Sequence, residues 1–339
     1  MEHTSEHTSE HMLKHLLLQE ESFEKEMQHK VEPYLTKRRT PLYLSHNTNQ
    51  SLFCVSYLTD TQNPKGVILI SHGFTETAEK YKECAYYFLN SGYHVYILEH
   101  CGHGRSYRLN TDLSLVHIDR YERYVDDLLL TARTIHKTHP ELPLYLYAHS
   151  MGGGIGAAAA ACEPEMFHKI ILSSPMIQPS TGTIPWTVAK LIAYLFCLIG
   201  KSGDYVPGHR PFQGEELFED SASNSKPRFQ YYQSFRLHEP LFQMNAASCG
   251  WLYQTARLNH FLLKEATHKI NIPLLLFQAE NDTFVSARAQ EEFVTGLRQH
   301  HTPVRLIKLP NTKHEIYQSN NNVLSDYWNT IRTFLNEPE

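Results

Sequence analysis

The chain has 339 residues, of which 41% are hydrophobic and 20% are charged, and its formal net charge is −5. Such a composition can fill a sizeable core and excludes global disorder, and the negative charge argues against a general nucleic-acid-binding protein. The acidic excess is local, because residues 1–32 carry eight acidic and three basic side chains while the rest of the chain carries 28 of each.

The cysteines and the first residues indicate an intracellular chain. Six cysteines are scattered without a CxxC pair, which is typical of reduced and mostly buried thiols. The sequence opens MEHTS, which is polar and acidic, so it lacks the basic and then apolar pattern of a secretory signal peptide. We therefore expect a cytoplasmic protein, with peripheral contact at the inner face of the membrane as a further option.

The N-terminal extension, predicted at 1–34, opens with two EHTS repeats and has four histidines at intervals of four: His3, His7, His11 and His15. On a helix these histidines would share one face and could bind a metal ion. A frayed, low-complexity terminus accounts for the same pattern, and no carboxylate or cysteine pattern completes a site, so we predict no metal. Residues 12–32 fit a short amphipathic helix whose apolar side holds Leu16, Leu17, Phe23 and Met27.

Alternating apolar residues at 40–44 and 51–57 flank a turn-rich segment, which predicts an antiparallel hairpin. Short apolar runs then alternate with helical stretches. These runs occupy residues 67–70, 94–98, 144–147, 169–172, 274–277 and 305–309. Buried parallel strands have this appearance, so the pattern predicts an α/β fold with a mostly parallel central sheet flanked by helices. The predicted core comprises 35–175 and 267–339.

The strongest local motif is LYLYAHSMGGG at 144–154, where an apolar strand leads directly into a serine among small residues. This pattern is typical of a nucleophile elbow, a tight strand-to-helix turn, and it predicts Ser150 as the nucleophile. Ala148 stands where the Gly-x-Ser-x-Gly form has glycine, and it is small enough for the turn. An oxyanion would take two backbone donors, here Met151 after the serine and Phe74 in the loop after an earlier strand.

A carboxylate and a base are expected downstream of the serine, in that order. Asp282 is the preferred acid and Glu280, in the same loop, is its rival. His314, in the loop after the last apolar run, is the preferred base among 22 histidines. The HCGHGRS loop is predicted to be a structural turn, since His103 lies upstream of the serine and Cys101 lacks an elbow.

About a hundred residues separate the runs at 169–172 and 274–277, far more than a crossover needs. We predict an inserted, largely helical cap at 176–266. Its segment 184–199 is strongly apolar but slightly short for a membrane span and contains Lys190, so a buried or interfacial helix is preferred to a transmembrane one. An apolar cap suits a long acyl chain and could dip into a bilayer surface.

Together these motifs resemble the monoglyceride-lipase and bacterial lysophospholipase group of α/β-hydrolases, which are serine aminopeptidase S33-like hydrolases. The similarity covers roughly residues 35–336. The matching stretches are SHGFTE (71–76), GHGRS (102–106), YVDDL (124–128), AHSMGG (148–153), LSSPM (172–176), QAEND (278–282) and KHE (313–315). NSKPRF and GWL in the cap are nearer to the bacterial lysophospholipase branch. Glu99 departs from the aspartate usual in the group, and the acidic N-terminus has no counterpart there.

The resemblance implies a serine esterase that cleaves a single-chain lipid ester through an acyl-enzyme, without a metal or organic cofactor. A lysophospholipid is the preferred substrate. A monoacylglycerol, or a shorter ester or amide, is the alternative within the enzyme interpretation. A non-catalytic hydrolase-like binding protein and a metal-binding adaptor that uses the N-terminal histidines are the alternatives outside it.

Overall fold

The computed structural model describes residues 16–45 and 50–338, and its centre is an eight-stranded sheet. The strands are β1 (Arg39–Ser45), β2 (Ser51–Tyr57), β3 (Val67–Ser71), β4 (His94–Leu98), β5 (Leu144–His149), β6 (Lys169–Ser173), β7 (Leu274–Ala279) and β8 (Val304–Leu309). They lie in the order β1-β2-β4-β3-β5-β6-β7-β8, and β2 runs opposite to the other seven. The predicted hairpin, the six apolar runs and the α/β fold class are confirmed.

The α-helices are α1 (Phe23–Glu26), α2 (Glu32–Thr36), α3 (Lys82–Asn90), α4 (Glu122–Thr138), α5 (Ser150–Cys162), α6 (Trp186–Leu198), α7 (Lys226–His238), α8 (Cys249–Lys264), α9 (Ala287–Gln299) and α10 (Asn321–Asn336). A π-helical turn, Met27–Val31, joins α1 to α2. Single 3-10 turns occur at Glu20–Ser22, Ala78–Tyr81, Pro164–Met166, Phe218–Asp220, Pro240–Phe242, Ala266–His268 and Ile316–Gln318.

Helices cover both faces of the sheet. One apolar core includes side chains of α4, α5, α8 and α9, and the other includes side chains of α1, α3 and α10. Every residue of β3 to β7 is buried between these layers. Because both faces of these strands are covered, their sequences are continuous apolar runs instead of alternating patterns.

Three helices, α6, α7 and α8, lie in the long connection between β6 and β7. A parallel pairing of Leu115–Val116 with Ala246–Ala247 joins this connection to a loop of the sheet domain. Helix α8 also packs against both α6 and α5. The boundaries of a separate cap at 176–266 and of an extension at 1–34 stay predictions.

Helix α6 presents most of its apolar side chains to the surface. Only Ala189 and Ala193 of this helix are buried, whereas Leu191 is 56% exposed and Leu198 is 62% exposed. This contradicts the buried alternative predicted for segment 184–199. Among residues 16–45 and 50–338, no helix is long and apolar enough to cross a bilayer.

Within the described residues, the amphipathic helix predicted at 12–32 is interrupted at residues 17–19 and ends later than expected. Residues 12–15 lie outside the described part of the chain, as do the four spaced histidines, and regular helix runs from Phe23 to Thr36. Residues 17–19 leave the helical path because the N–H of Leu18 donates to the Tyr87 hydroxyl at 2.9 Å. Of the predicted apolar side chains, Leu17, Phe23 and Met27 are buried.

Candidate active site

Ser150 occupies a strained turn between a strand and a helix. It directly follows β5, begins α5, and has a φ of +51°, in the left-handed region that L-residues rarely adopt. The turn also brings backbone close behind the serine, because a Cβ added to Gly152 would lie 2.3 Å from the carbonyl oxygen of Ser71. A Cβ on Gly153 would lie 2.7 Å from Pro175. These contacts explain the small residues after the serine.

A chain of two hydrogen bonds joins the three side chains predicted from the sequence. Ser150 Oγ lies 2.7 Å from His314 Nε2, and His314 Nδ1 lies 2.7 Å from Asp282 Oδ2. A neutral imidazole with its proton on Nδ1 donates to Asp282 and accepts from the serine hydroxyl. The second carboxylate oxygen, Asp282 Oδ1, accepts the N–H groups of Phe284 and Val285 at 2.8 and 3.1 Å. Asp282 is thereby held in one orientation.

Glu280, the rival acid, has a different partner. Its Oε2 accepts the backbone N–H of Asn311 at 2.8 Å. The neighbouring N–H of Asn281 donates to the carbonyl of Thr312 at 2.9 Å. Glu280 therefore ties the two loops that carry Asp282 and His314 and does not itself contact the histidine.

The two predicted oxyanion donors lie beside the serine. Met151 is the second residue of α5, so its N–H belongs to the first helical turn and has no acceptor within the helix. Phe74 lines the same cavity as Ser150 and packs against Trp251, with ring centroids 4.4 Å apart. Their role in holding an oxyanion stays a prediction.

A buried carboxylate near the site was not identified from the sequence. Glu76 accepts the N–H of Gly73 at 2.6 Å and the hydroxyls of Tyr81 and Tyr317 at 2.5 and 2.8 Å. Its burial opposes ionisation, but the charge of Lys80, 3.1 Å away, and these donors hold the pKa of Glu76 well below its usual range. Glu76 therefore fixes the loop that carries Phe74.

Lys80 links that loop to the loop of the catalytic histidine candidate. It forms ion pairs with Glu76 and with Glu315, which directly follows His314. Burial alone would lower the pKa of Lys80, but the two carboxylates raise it above its usual range. Glu76 and Glu315 end the stretches SHGFTE and KHE, which carry the family resemblance in the sequence. Lys80 lies outside both stretches, so no motif in the sequence indicated its role.

A second histidine, His149, packs against His314, with ring centroids 4.8 Å apart. Its Nδ1 lies 3.0 Å from the carbonyl oxygen of Ser173. Burial lowers the pKa of His149 to about 3, so the ring is neutral near pH 7. His149 therefore supports the catalytic imidazole candidate without adding a charge beside it.

The HCGHGRS loop, predicted to be a structural turn, is largely buried, and its residues are not among those that line the Ser150 cavity. His103 Nδ1 lies 3.0 Å from the carbonyl oxygen of Cys101, and burial holds the pKa of His103 well below its usual value. Cys101 is buried, which raises the pKa of its thiol. Within the described part of the chain, no group of three or more His, Cys, Asp or Glu side chains is arranged to hold a metal ion.

Glu99, which departs from the aspartate of the resembled group, is fully buried and satisfied. Its carboxylate accepts the backbone N–H groups of Ala78 at 3.1 Å and Arg105 at 2.6 Å. A Cβ on Gly104 would lie 2.2 Å from Glu99 Oε2, so only glycine fits there.

The serine opens into a cavity of about 550 Å³, within the range of small-molecule sites. Its apolar lining comes from both the sheet domain and the long connection: Phe74, Met176, Pro179, Phe229, Trp251, Phe284 and Val285. Phe284 stacks on His314, with ring centroids 5.3 Å apart. Its charged lining consists of Glu76, Lys80, Glu216, Asp220, Arg236 and Glu315.

Comparison with known proteins gives consistent results. A sequence model of the serine aminopeptidase S33 family matches residues 62–321. The monoglyceride lipase homolog of Monkeypox virus is 27% identical over 291 residues, covering 85% of this chain and 95% of the viral protein. The probable lysophospholipase L2 of Haemophilus influenzae is 26% identical over 296 residues, covering 87% of this chain and 91% of that protein.

The fold is shared with a soluble variant of monoglyceride lipase from Saccharomyces cerevisiae, solved with a substrate analogue. The TM-score is 0.71 at 18% identity, and the match covers 91% of this chain and 97% of the yeast chain. The chain therefore belongs to the serine aminopeptidase S33 family of α/β-hydrolases and is a carboxylic ester hydrolase.

Proposed function

We propose that this protein hydrolyses the ester of a single-acyl-chain lipid, a lysophospholipid foremost, through an acyl-enzyme on Ser150. The observation that carries the proposal is the hydrogen-bonded order Ser150, His314, Asp282, in which the serine and the histidine line a cavity with a partly apolar wall. A binding protein without catalysis would not need a serine held in a strained backbone conformation against a histidine.

In the first step, Ser150 Oγ attacks the acyl carbonyl carbon as its proton passes to His314 Nε2. Asp282 stabilises the imidazolium that forms. The backbone N–H groups of Phe74 and Met151 are assigned to the oxyanion. The carbon–oxygen bond to the headgroup then breaks, and the leaving alkoxide takes the proton from His314.

In the second step, His314 accepts a proton from water as the water oxygen attacks the acyl-enzyme carbonyl carbon. The bond to Ser150 Oγ breaks, the serine recovers its proton from His314, and the fatty acid departs. This chemistry uses only side chains and backbone of the chain, so the proposal includes no metal or cofactor.

The lining of the cavity supports a lipid acyl chain over a short, polar acyl group. Phe74, Met176, Trp251, Phe284 and Val285 all line the cavity. Each methylene buried against such side chains contributes roughly 0.8 kcal/mol. The relatives' names, monoglyceride lipase and lysophospholipase, agree with this substrate class.

The exposed face of α6 supports peripheral contact with a lipid surface. Val188, Leu191, Leu195 and Leu198 are exposed together on this helix, and Lys190 lies 5.8 Å from the ring centroid of Trp186. Apolar side chains flanked by a cation and tryptophan are typical of interfacial helices. We therefore propose that α6 brings the enzyme to its substrate at a membrane.

A monoacylglycerol is a second candidate substrate, because both cations in the cavity already have carboxylate partners. Lys80 pairs with Glu76 and Glu315, and Arg236 Nη1 lies 2.7 Å from Glu216 Oε1. Paired cations offer little to a phosphate, which favours the uncharged glycerol headgroup of a monoacylglycerol.

A lipid panel tests the proposal. Lysophosphatidylcholine, lysophosphatidylethanolamine, monoacylglycerol and p-nitrophenyl acetate are assayed with the wild type and with Ser150→Ala. We expect long-chain esters to be preferred and the variant to lose roughly 10³-fold or more in kcat/KM on all of them. Preference for the acetyl ester, or retained turnover in the folded variant, contradicts the proposal.

A further inference from the structure

The N-terminal segment at residues 17–36, hereafter the strap, packs against the core of the protein. Its buried apolar side chains are Leu17, Leu18, Phe23, Met27, Val31 and Leu35. They belong to the apolar core that includes side chains of α3 and α10. The catalytic chemistry leaves this segment without a role.

One buried arginine contacts both the strap and the helices around it. Arg228, on α7, is 1% exposed, and its Nη2 donates to the carbonyl of Leu18 at 3.2 Å. The same guanidinium donates to both carboxylate oxygens of Glu83 on α3 and, at 3.2 Å, to Asn321 on α10. Its carbon lies 4.8 Å from the ring centroid of Phe23. Arg228 thus joins the strap, α7 and two helices of the core.

Two further contacts hold the strap to α7. The rings of Phe23 and Tyr231 pack edge to face with centroids 5.8 Å apart. The Tyr231 hydroxyl donates to Glu32 at 2.9 Å, and Lys82 donates to the same carboxylate oxygen at 2.8 Å. The strap therefore contacts α7 at two residues, Arg228 and Tyr231, which are less than one helical turn apart.

A neighbouring face of α7 forms part of the wall of the catalytic cavity. Its lining residues there are Phe229, Tyr232, Gln233 and Arg236, at the i, i+3, i+4 and i+7 positions of one helical face. Arg228 and Tyr231, three residues apart, lie on the face that meets the strap. A shift of α7 would move the cavity wall relative to Ser150.

We propose that the strap sets the position of α7 and thereby the shape of the lipid-ester site, with Arg228 as the positioning residue. This inference rests on the proposed function for its substrate readout. Removing Arg228 leaves Glu83 as an uncompensated buried charge and removes the contacts that hold α7 to the strap, to α3 and to α10. Lysine keeps the charge of Arg228 but cannot form the two-pronged contact with Glu83.

The test compares Phe23→Ala, Arg228→Met and Arg228→Lys with the wild type on lysophosphatidylcholine and on p-nitrophenyl acetate. For Phe23→Ala and Arg228→Met we expect kcat/KM on the lipid to fall about tenfold, mainly through KM, and activity on the acetate to stay within about twofold. Arg228→Lys should fall between these variants and the wild type. A purely structural defect would lower both activities together with the folded fraction.

The control is Phe293→Leu, a buried change on α9 in the other apolar core, compared at equal loss of Tm. Selective loss of lipid activity in this control, or equal loss on both substrates in the strap variants, overturns the proposal. Hydrogen exchange of residues 226–238 gives a readout that does not depend on the substrate. If the wild type cleaves no lipid ester, the proposed function fails, and faster exchange in Phe23→Ala still supports the strap, whereas unchanged exchange overturns it.

Discussion

Asp282, and not Glu280, forms a hydrogen bond of 2.7 Å with His314. Both acids lie in the loop after β7, and Glu280 is the nearer of the two to the end of that strand. The difference between the two acids lies in their partners. Asp282 is held by two backbone N–H groups of its own turn and faces the imidazole, whereas Glu280 is held by Asn311.

Replacing Asp282 with asparagine should therefore lower kcat by roughly 10³- to 10⁴-fold, because the amide no longer favours the imidazolium or the Nδ1–H tautomer. Glu280→Gln should change kcat by less than about threefold, since it loses only a loop contact. Steady-state assays on a p-nitrophenyl ester measure both. A larger loss in Glu280→Gln than in Asp282→Asn would show that the wrong acid was chosen.

The sequence was sufficient for the features that depend on neighbours along the chain. The parallel strands are buried on both faces and so appear as apolar runs, and the elbow places Ser150 within a single short motif. The choice between Asp282 and Glu280 was harder, because both lie in one loop and only the direction of each side chain separates them.

Features that depend on distant residues were not predictable in the same way. Leu18 leaves the predicted helix because it bonds to Tyr87 and Arg228, 69 and 210 residues away along the chain. Likewise, the carboxylate of Glu76 accepts a hydrogen bond from the hydroxyl of Tyr317, which lies 241 residues away along the chain. No periodicity or local motif encodes such pairings. The contacts of the strap and of the buried carboxylate can therefore be identified only from the three-dimensional structure.

Gly152→Ala should destabilise the protein by about 3 kcal/mol or more, because its Cβ would lie 2.3 Å from the backbone oxygen of Ser71. Backbone at this point cannot move without displacing Ser150. Urea unfolding and fluorophosphonate labelling of Ser150 measure the effect. The matched change Ala148→Gly, on the other side of the serine, should cost only about 1 kcal/mol and keep labelling intact. Equal behaviour of the two variants would contradict this account of the turn.

Acid should destabilise the fold through its buried histidines. Burial lowers the pKa of His149 to about 3 and also lowers the pKa values of His72, His100 and His103. Below about pH 6.5 the unfolded chain binds protons that the folded chain does not, so the free energy of unfolding falls as pH falls. Each such histidine contributes at most about 1.4 kcal/mol per pH unit in this window. Glu76, whose pKa is lowered, adds to the loss at still lower pH.

Urea unfolding between about pH 7 and about pH 5 measures this dependence. His149→Gln removes one of these buried histidines, so its stability should change less steeply with pH than that of the wild type. A free energy of unfolding that stays constant or rises toward pH 5 would show that these histidines are not held neutral.

Helix α6 provides the last prediction, because its apolar side chains face outward and not into the core. Replacing Leu191 and Leu198 together with glutamate places two charges on the exposed face, seven residues apart and therefore on one side of the helix. We expect co-sedimentation with phospholipid vesicles to weaken at least about tenfold, since interfacial binding depends on buried apolar area. Turnover of p-nitrophenyl acetate in solution should stay unchanged, because neither side chain lines the cavity of Ser150.

The matched control is Leu58→Glu, which changes an exposed leucine that directly follows β2. This variant should bind vesicles like the wild type. Equal vesicle binding by the double variant and the control would remove α6 as the lipid-facing surface.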